Sequence, residues 1–241
     1  MYRVMLRLTK GEQVKYLSHL DMLRAFEYAL RRAKLPVAFS QGFNPRQRLI
    51  LGSAIGVGVT SGDERIIVEL SIPMDSEAVK DALNAQLPPG IEIMESESIP
   101  DGVKSPISAI SASVFRFTLE GDTEQAEVAV EALFAAKEIP ISRIKHGERN
   151  SQKVIDLRPI LLELRSLAPS GRPGHSDGDE SRSLAPCGRL TDVEIVMAHN
   201  ESGGVRPQDF AEAVRNMSPD IIVSSIRRIR QIDEKALGVR R

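Results

Sequence analysis

The chain has 241 residues, 41% hydrophobic and 27% charged, with a formal net charge of −1; this is a globular composition and excludes a chain disordered throughout. No apolar run approaches the ~20 residues of a membrane-spanning helix, and the opening MYRVMLRLTKGE lacks the apolar core of a signal peptide. The single cysteine, Cys187, excludes an internal disulfide framework, a thiolate zinc site and a cysteine-held iron–sulfur cluster, so the expected compartment is the cytoplasm.

Tyr2 to Leu8 alternates as a strand, with Val4, Leu6 and Leu8 on one side; Lys10-Gly11-Glu12 then reads as a polar break. Ser18 has the register of a helix N-cap, with Asp21 three residues on. From His19 to Lys34 the period is helical. Met22, Leu23, Phe26, Ala29, Leu30 and Ala33 gather on one face, and Arg24, Tyr28, Arg31 and Arg32 on the other. Pro36 ends the helix. Val37–Phe39, Leu49–Val59 and Arg65–Leu70 carry strand character. A second helix, capped by Asp75 or Ser76, runs to Leu87, and Ile91–Ser96 closes the pattern. The order over residues 1–100 is β-α-β-β-α-β, that of a ferredoxin-like sandwich.

Residues 97–111 read as a linker, and the order then repeats over 112–241. Ser113–Leu119 is a strand and Thr123–Lys137 a helix. Ile139–Lys145, Lys153–Leu164 and Thr191–Ala198 are strands, Pro207–Met217 a helix, and Ser225–Ile232 the last strand. The expected class is therefore α+β, with two ferredoxin-like sandwiches in tandem. Residues 166–189 interrupt the second as a disordered hairpin insertion. Within it RSLAPSGR at Arg165–Arg172 recurs as RSLAPCGR at Arg182–Arg189, and Cys187 and His175 read as incidental there.

Charge is unevenly distributed. Residues 1–50 hold ten Lys/Arg against three Asp/Glu, whereas residues 51–101 hold two against ten. Either the two stretches pair on folding, or part of the N-terminal charge faces an anionic partner. The densest candidate lies at Ser40-Gln41-Gly42-Phe43-Asn44-Pro45-Arg46-Gln47-Arg48, a turn-forming segment with an aromatic, an amide and two arginines. Such a loop suits phosphate contact by arginine and base stacking by Phe43; in the alternative, Phe43 plugs the core. Arg24, Arg31 and Arg32 on the polar helix face extend the candidate RNA or anion surface.

Ser18-His19-Leu20-Asp21 admits an acid–base reading of His19, but Asp21 points some 200° away from it on a helix. A cap followed by a partly buried histidine explains the segment without catalysis. Gly52-Ser53-Ala54-Ile55-Gly56-Val57-Gly58 lacks the lysine and hydroxyl of a phosphate-binding loop and reads as a strand bend. Asp156-Leu157-Arg158-Pro159 reads as an ion pair or edge-strand proline, and Arg228 and Arg230 fit the outer face of a strand. The four histidines show no metal-ligand spacing, and no cofactor motif is present.

The segment from Tyr16 to Ser61 closely resembles the core of the uncharacterised bacterial radical-SAM-associated (radical-SAM-linked) protein family. The residues that carry the likeness are Ser18, His19 and Asp21, the Arg31-Arg32 pair, and Ser40, Gln41, Gly42, Phe43, Asn44 and Pro45, in that order. Asp156 and Arg158 are similar to the family's second-half motif. The resemblance implies a radical S-adenosylmethionine enzyme as partner, and no reaction. A radical-SAM cluster needs three thiolates, so the chain is expected to act as a non-catalytic accessory that binds RNA, tRNA or ribosomal RNA, or presents substrate. Two alternatives stand beside it: a protein-binding adaptor without RNA, and an endoribonuclease like the tandem-ferredoxin CRISPR RNA-processing enzymes, with His19 or Tyr16 as acid–base group.

Overall fold

The computed structural model describes residues 2–144, 152–169, 189–199, 206–234 and 236. Among them the chain is a mixed α+β protein with a large mixed sheet and four α-helices. It divides into two compact units, one holding the described residues of 1–114, 199–205 and 227–241, the other those of 115–198 and 206–226.

The first unit begins with β1 (Tyr2–Lys10), followed by α1 (His19–Arg32), β2 (Leu49–Leu51), β3 (Thr60–Leu70), α2 (Ser76–Asn84) and β4 (Ile91–Ile99). Its strands run in the order β4-β1-β3-β2, each pair antiparallel, with Val4 opposite both Val68 and Ser98 and Leu49 opposite Val68. Alternation in β1 sends Val4, Leu6 and Leu8 inward, where they meet Met22, Phe26, Ala29 and Leu30 of α1 and Val79 and Leu83 of α2. Each such large side chain contributes about 1.5–3 kcal/mol by leaving water.

Helix α1 is held at both ends. Ser18 Oγ accepts from the Asp21 N–H, and the Asp21 carboxylate accepts from both the N–H and the hydroxyl of Ser18, which closes a capping box. At the other end Leu35 N–H donates to Leu30 O at 3.2 Å and Lys34 N–H to Arg31 O at 3.1 Å. This is a Schellman turn, with Lys34 at φ 53° where glycine is usual. Helix α2 is capped by Asp75, whose carboxylate accepts from Ala78 N–H at 3.1 Å, and ends at Asn84 rather than Leu87.

Strand β2 is shorter than the sequence suggests. Val37 and Phe39 make only isolated bridges, to Leu70 and Gln47, and pairing with β3 stops at Leu51. From Gly52 the chain bends away, and Gly58, at φ 84°, donates its N–H to Lys15 O at 2.9 Å. β4 extends to Ile99 and a 3-10 turn occupies Pro106–Ala109, so the expected linker is mostly structured.

The second unit takes the C-terminal part of β5 (Ile110–Gly121), then α3 (Thr123–Ala135), β6 (Pro140–Ile144), β7 (Gln152–Asp156), β8 (Leu161–Pro169), β9 (Arg189–Ala198), α4 (Pro207–Met217) and the first part of β10 (Ile222–Asp233). The strand order is β10-β5-β9-β8, and β6 and β7 form a separate hairpin. Phe115, Phe117, Val130, Leu133, Ile195 and Phe210 are buried, with Phe117 and Phe210 ring centroids 4.6 Å apart. The single strand expected over Lys153–Leu164 is broken. Asp156 Oδ1 accepts from Ile139 N–H at 2.7 Å and Arg158 N–H at 2.9 Å, and the 3-10 turn Arg158–Ile160 separates β7 from β8. Of the expected insertion, 166–169 and Arg189 belong to strands; residues 170–188, with Cys187, His175 and most of the repeat, lie outside the described residues.

Candidate nucleic-acid interface

The segment from Ser40 to Arg48 forms a closed loop with its tip in water. Arg48 N–H donates to Ala38 O at 2.8 Å, and Phe39 bridges Gln47. Ser40 N–H then donates to Arg46 O at 2.8 Å, while Ser40 Oγ accepts from Arg46 N–H at 2.9 Å. Gly42 stands at φ 152°, a conformation that a side chain would strain. Ser40 and Gly42 thus shape the turn, and Gln41, Phe43, Asn44, Pro45 and Arg46 project from it, all exposed. Phe43 is fully exposed, at 106%. It plugs nothing.

Of the chain's three Tyr and seven Phe, the five that are exposed all fall in the first 43 residues: Tyr2, Tyr16, Tyr28, Phe39 and Phe43. In the second unit Phe115, Phe117 and Phe210 go to the core instead. The polar face of α1 carries Arg24, Tyr28 and Arg31 into solvent, with the Arg31 guanidinium 6.0 Å from the Tyr28 ring centroid.

Charge pairing divides the N-terminal cations into two sets. Arg7 pairs with Glu95, and Arg48 with the nearly buried Glu69. Arg3 donates to the carbonyls of Pro100 and Val103, and Arg32 to Gln86 at the end of α2. Arg31, Lys34 and Arg46 remain exposed without a carboxylate within 4.0 Å among the described residues, and Arg24 reaches Asp21 only at 3.7 Å. Of the four arginines expected to meet phosphate besides Arg24, therefore, Arg31 and Arg46 are open, whereas Arg32 and Arg48 have partners inside the protein.

The acid–base candidates are separated by their surroundings. Tyr16 is exposed, with Lys15 Nζ 5.4 Å from its ring centroid. His19 is exposed rather than partly buried, because the first helical residue projects past the edge of the core. Asp21 is engaged by Ser18, whose hydroxyl and N–H hold its carboxyl below the usual carboxylate range. Asp156 is likewise lowered by the N–H groups of Ile139 and Arg158, and Arg158 donates to Leu161 O at 2.8 Å. The Asp156-Leu157-Arg158-Pro159 motif is thus a turn that ties itself together, and no ion pair is needed to explain it.

Two buried cations were not legible as such. Lys10 is 2% exposed and Arg228 0%. Lys10 continues the inward parity of Val4, Leu6 and Leu8, a signal present in the sequence. Arg228 lies on an inward rather than an outer position: β10 pairs in parallel with β3 there, Arg228 opposite Ser61, and its Nη1 donates to Glu64 at 2.9 Å and Ser53 O at 3.0 Å. Nearby in charge, His199 shares a 2.9 Å hydrogen bond with the buried Ser113, and burial followed by the Arg228 charge lowers its pKa to about 4. Since the unfolded imidazole titrates near 6.5, the unfolded state takes up the proton first. Stability is full above that pH and falls as the pH drops from about 6.5 to 4. The expected loss is on the order of 2–3 kcal/mol, and His199→Gln should flatten that part of the stability–pH curve in urea melts.

Among the described residues there is no cluster of three or more metal-ligating side chains and no helix long and apolar enough to cross a membrane. Of the two α+β units, the first presents the pinned aromatic loop together with Arg31 and Arg46, which are exposed without a carboxylate within 4.0 Å among the described residues. The chain belongs to a family of uncharacterised proteins conserved in bacteria (DUF2344), whose model matches residues 3–207. None of the curated proteins matches the sequence. Among solved structures, the chain is similar to one in an H/ACA RNP bound to a substrate RNA containing 2'-deoxyuridine, at 8% identity and TM-score 0.45, covering 96% of this chain and 49% of that one. It is also similar to a chain in a Cbf5-Nop10-Gar1 complex, at 9% identity and TM-score 0.43, covering 96% and 50%. The chain spans about half the length of these matches.

Proposed function

We propose that the chain is a non-catalytic RNA-binding accessory protein that grips RNA through the Phe43 loop and the Arg24–Arg31 face of α1. The observation that carries this reading is Phe43, held entirely in water at the tip of a loop closed by its own hydrogen bonds. A phenylalanine so placed forgoes about 1.5–3 kcal/mol of burial, and stacking on a base recovers about 1–3 kcal/mol. Arg46, beside it in the loop, and Arg31 have no internal counter-ion among the described residues, which suits contact with phosphate.

Tandem ferredoxin-like sandwiches are the architecture we infer for the two units. The orders β4-β1-β3-β2 and β10-β5-β9-β8 support it, since both follow the split β-α-β pattern; the β6–β7 hairpin is then an insertion in the second. The radical S-adenosylmethionine enzyme implied by the sequence resemblance is the partner proposed for this accessory role. A cytoplasmic setting goes with that partnership. Pull-down of the tagged protein with and without RNase tests it: retention of such an enzyme in both halves supports the partnership, and its absence from both rejects it.

For RNA itself, Phe43→Ala is expected to weaken binding of a labelled single-stranded RNA about tenfold in fluorescence anisotropy, without lowering the melting temperature. Unchanged affinity would remove the loop from the interface.

A further inference from the structure

A small cleft opens in the first unit, lined by none of the residues named for RNA. Its lining includes Lys10, Leu17, His19, Met22, Ile55 and Glu64. The cavity is about 20 Å³, room for one water-sized group. Lys10 is almost completely buried, and its ammonium makes one hydrogen bond, to Leu17 O at 2.9 Å. Two of its three donors remain, and among the described residues no carboxylate lies within 4.0 Å of Nζ. Glu64 is already held by Arg228 at 2.9 Å, and Asp63 by Arg65 at 3.3 Å and by the Gln231 N–H at 2.7 Å. Glu64 thus acts on Lys10 only beyond ion-pair distance, and the ammonium is buried without a direct counter-ion among the described residues, where burial makes that costly.

Two further features mark the mouth. His19 is the first residue of α1, so the cleft opens at the positive end of a 14-residue helix. Gly52 crosses beside it with its N–H on Arg65 O, and a Cβ there would meet that oxygen at 3.1 Å. Gly52 is itself part of the lining, and its close pairing with Arg65 leaves little room for a side chain at that position.

We propose that this cleft seats the terminal oxyanion of a small ligand, a carboxylate or phosphate oxygen, against Lys10 Nζ, with His19 at the mouth contacting the remainder of the ligand. The aliphatic walls exclude competing water and strengthen the attraction to the ammonium. The buried charge is kept because it recognises an anion, and it plays no part in the Phe43 surface.

The test is thermal melting of the full chain in acetate, in inorganic phosphate and in chloride at matched ionic strength. One of the two oxyanions is expected to raise the melting temperature by several degrees, saturably, over chloride; which one does so separates the two sources. Lys10→Met replaces the charge with a side chain of similar length. It should melt at or above the wild-type temperature in chloride and lose the oxyanion response. In the wild type, the His19 ring resonances should shift over the same titration, a readout that needs no variant. Melting temperatures equal in all three salts, an equal response in Lys10→Met, or His19 resonances that stay fixed would each overturn the proposal and leave the cavity as a water site.

Discussion

Arg228→Ala is expected to destabilise the protein by about 3 kcal/mol, the low end of the range for breaking a buried ion pair. The guanidinium is fully buried, and burial lowers its pKa even though Glu64 and Asp63 oppose the shift. Removing it strands the Glu64 carboxylate, 14% exposed, and leaves the Ser53 carbonyl without its donor. Lys10 gains from the removal of a like charge, since Arg228 lowers its pKa too, and this relief keeps the value from reaching the top of the range. The double variant Arg228→Met, Glu64→Gln removes both charges and should recover much of the loss. Urea melts of Arg228→Met, Glu64→Gln and the double complete the cycle. A loss below about 1 kcal/mol for Arg228→Ala would mean that the buried pair does not hold the first unit together.

The second large effect concerns RNA. Reversing Arg24, Arg31 and Arg46 to glutamate together is expected to weaken single-stranded RNA binding by at least about a hundredfold at low salt. The slope of log K against log salt should fall by about 0.7 for each phosphate that is no longer neutralised. These three are selected by the structure, because Arg32 is engaged by Gln86 and Arg48 by Glu69. Arg48→Ala provides the contrast. It leaves Glu69, 7% exposed, without its partner, and should lower the melting temperature rather than the salt slope. Equal salt slopes for the triple variant and the wild type would show that the arginines meet no phosphate.

Much of the first unit was legible because its signals are local. The Ser18–Asp21 box, the apolar stripe from Met22 to Leu30 and the alternation of β1 depend on residues a few positions apart, and each has the environment its pattern implies. The loop was legible as a loop, but not the exposure of Phe43: one aromatic in a turn carries no periodicity to show which way it faces. Arg228 was misread for a related reason. The inward side of β10 is decided by its pairing with β3, some 165 residues earlier in the chain, and no local alternation encodes it. Lys10 is hard to place because a lysine before a glycine looks like the end of a strand, although its parity with Leu8 already puts it inward. At Asp156 the carboxylate accepts backbone N–H groups from two sides, an arrangement that propensity cannot show and that turns an apparent strand into a corner.

The most direct measurement is ultraviolet crosslinking of the full chain to single-stranded RNA, with the attachment sites mapped by mass spectrometry. Crosslinks are expected to concentrate on the peptide that contains Phe43 and on the α1 peptide around Tyr28, and to disappear from both in the presence of excess unlabelled RNA. Crosslinks confined to residues of the second unit, or none above those of a denatured control, would contradict RNA binding through the Phe43 loop.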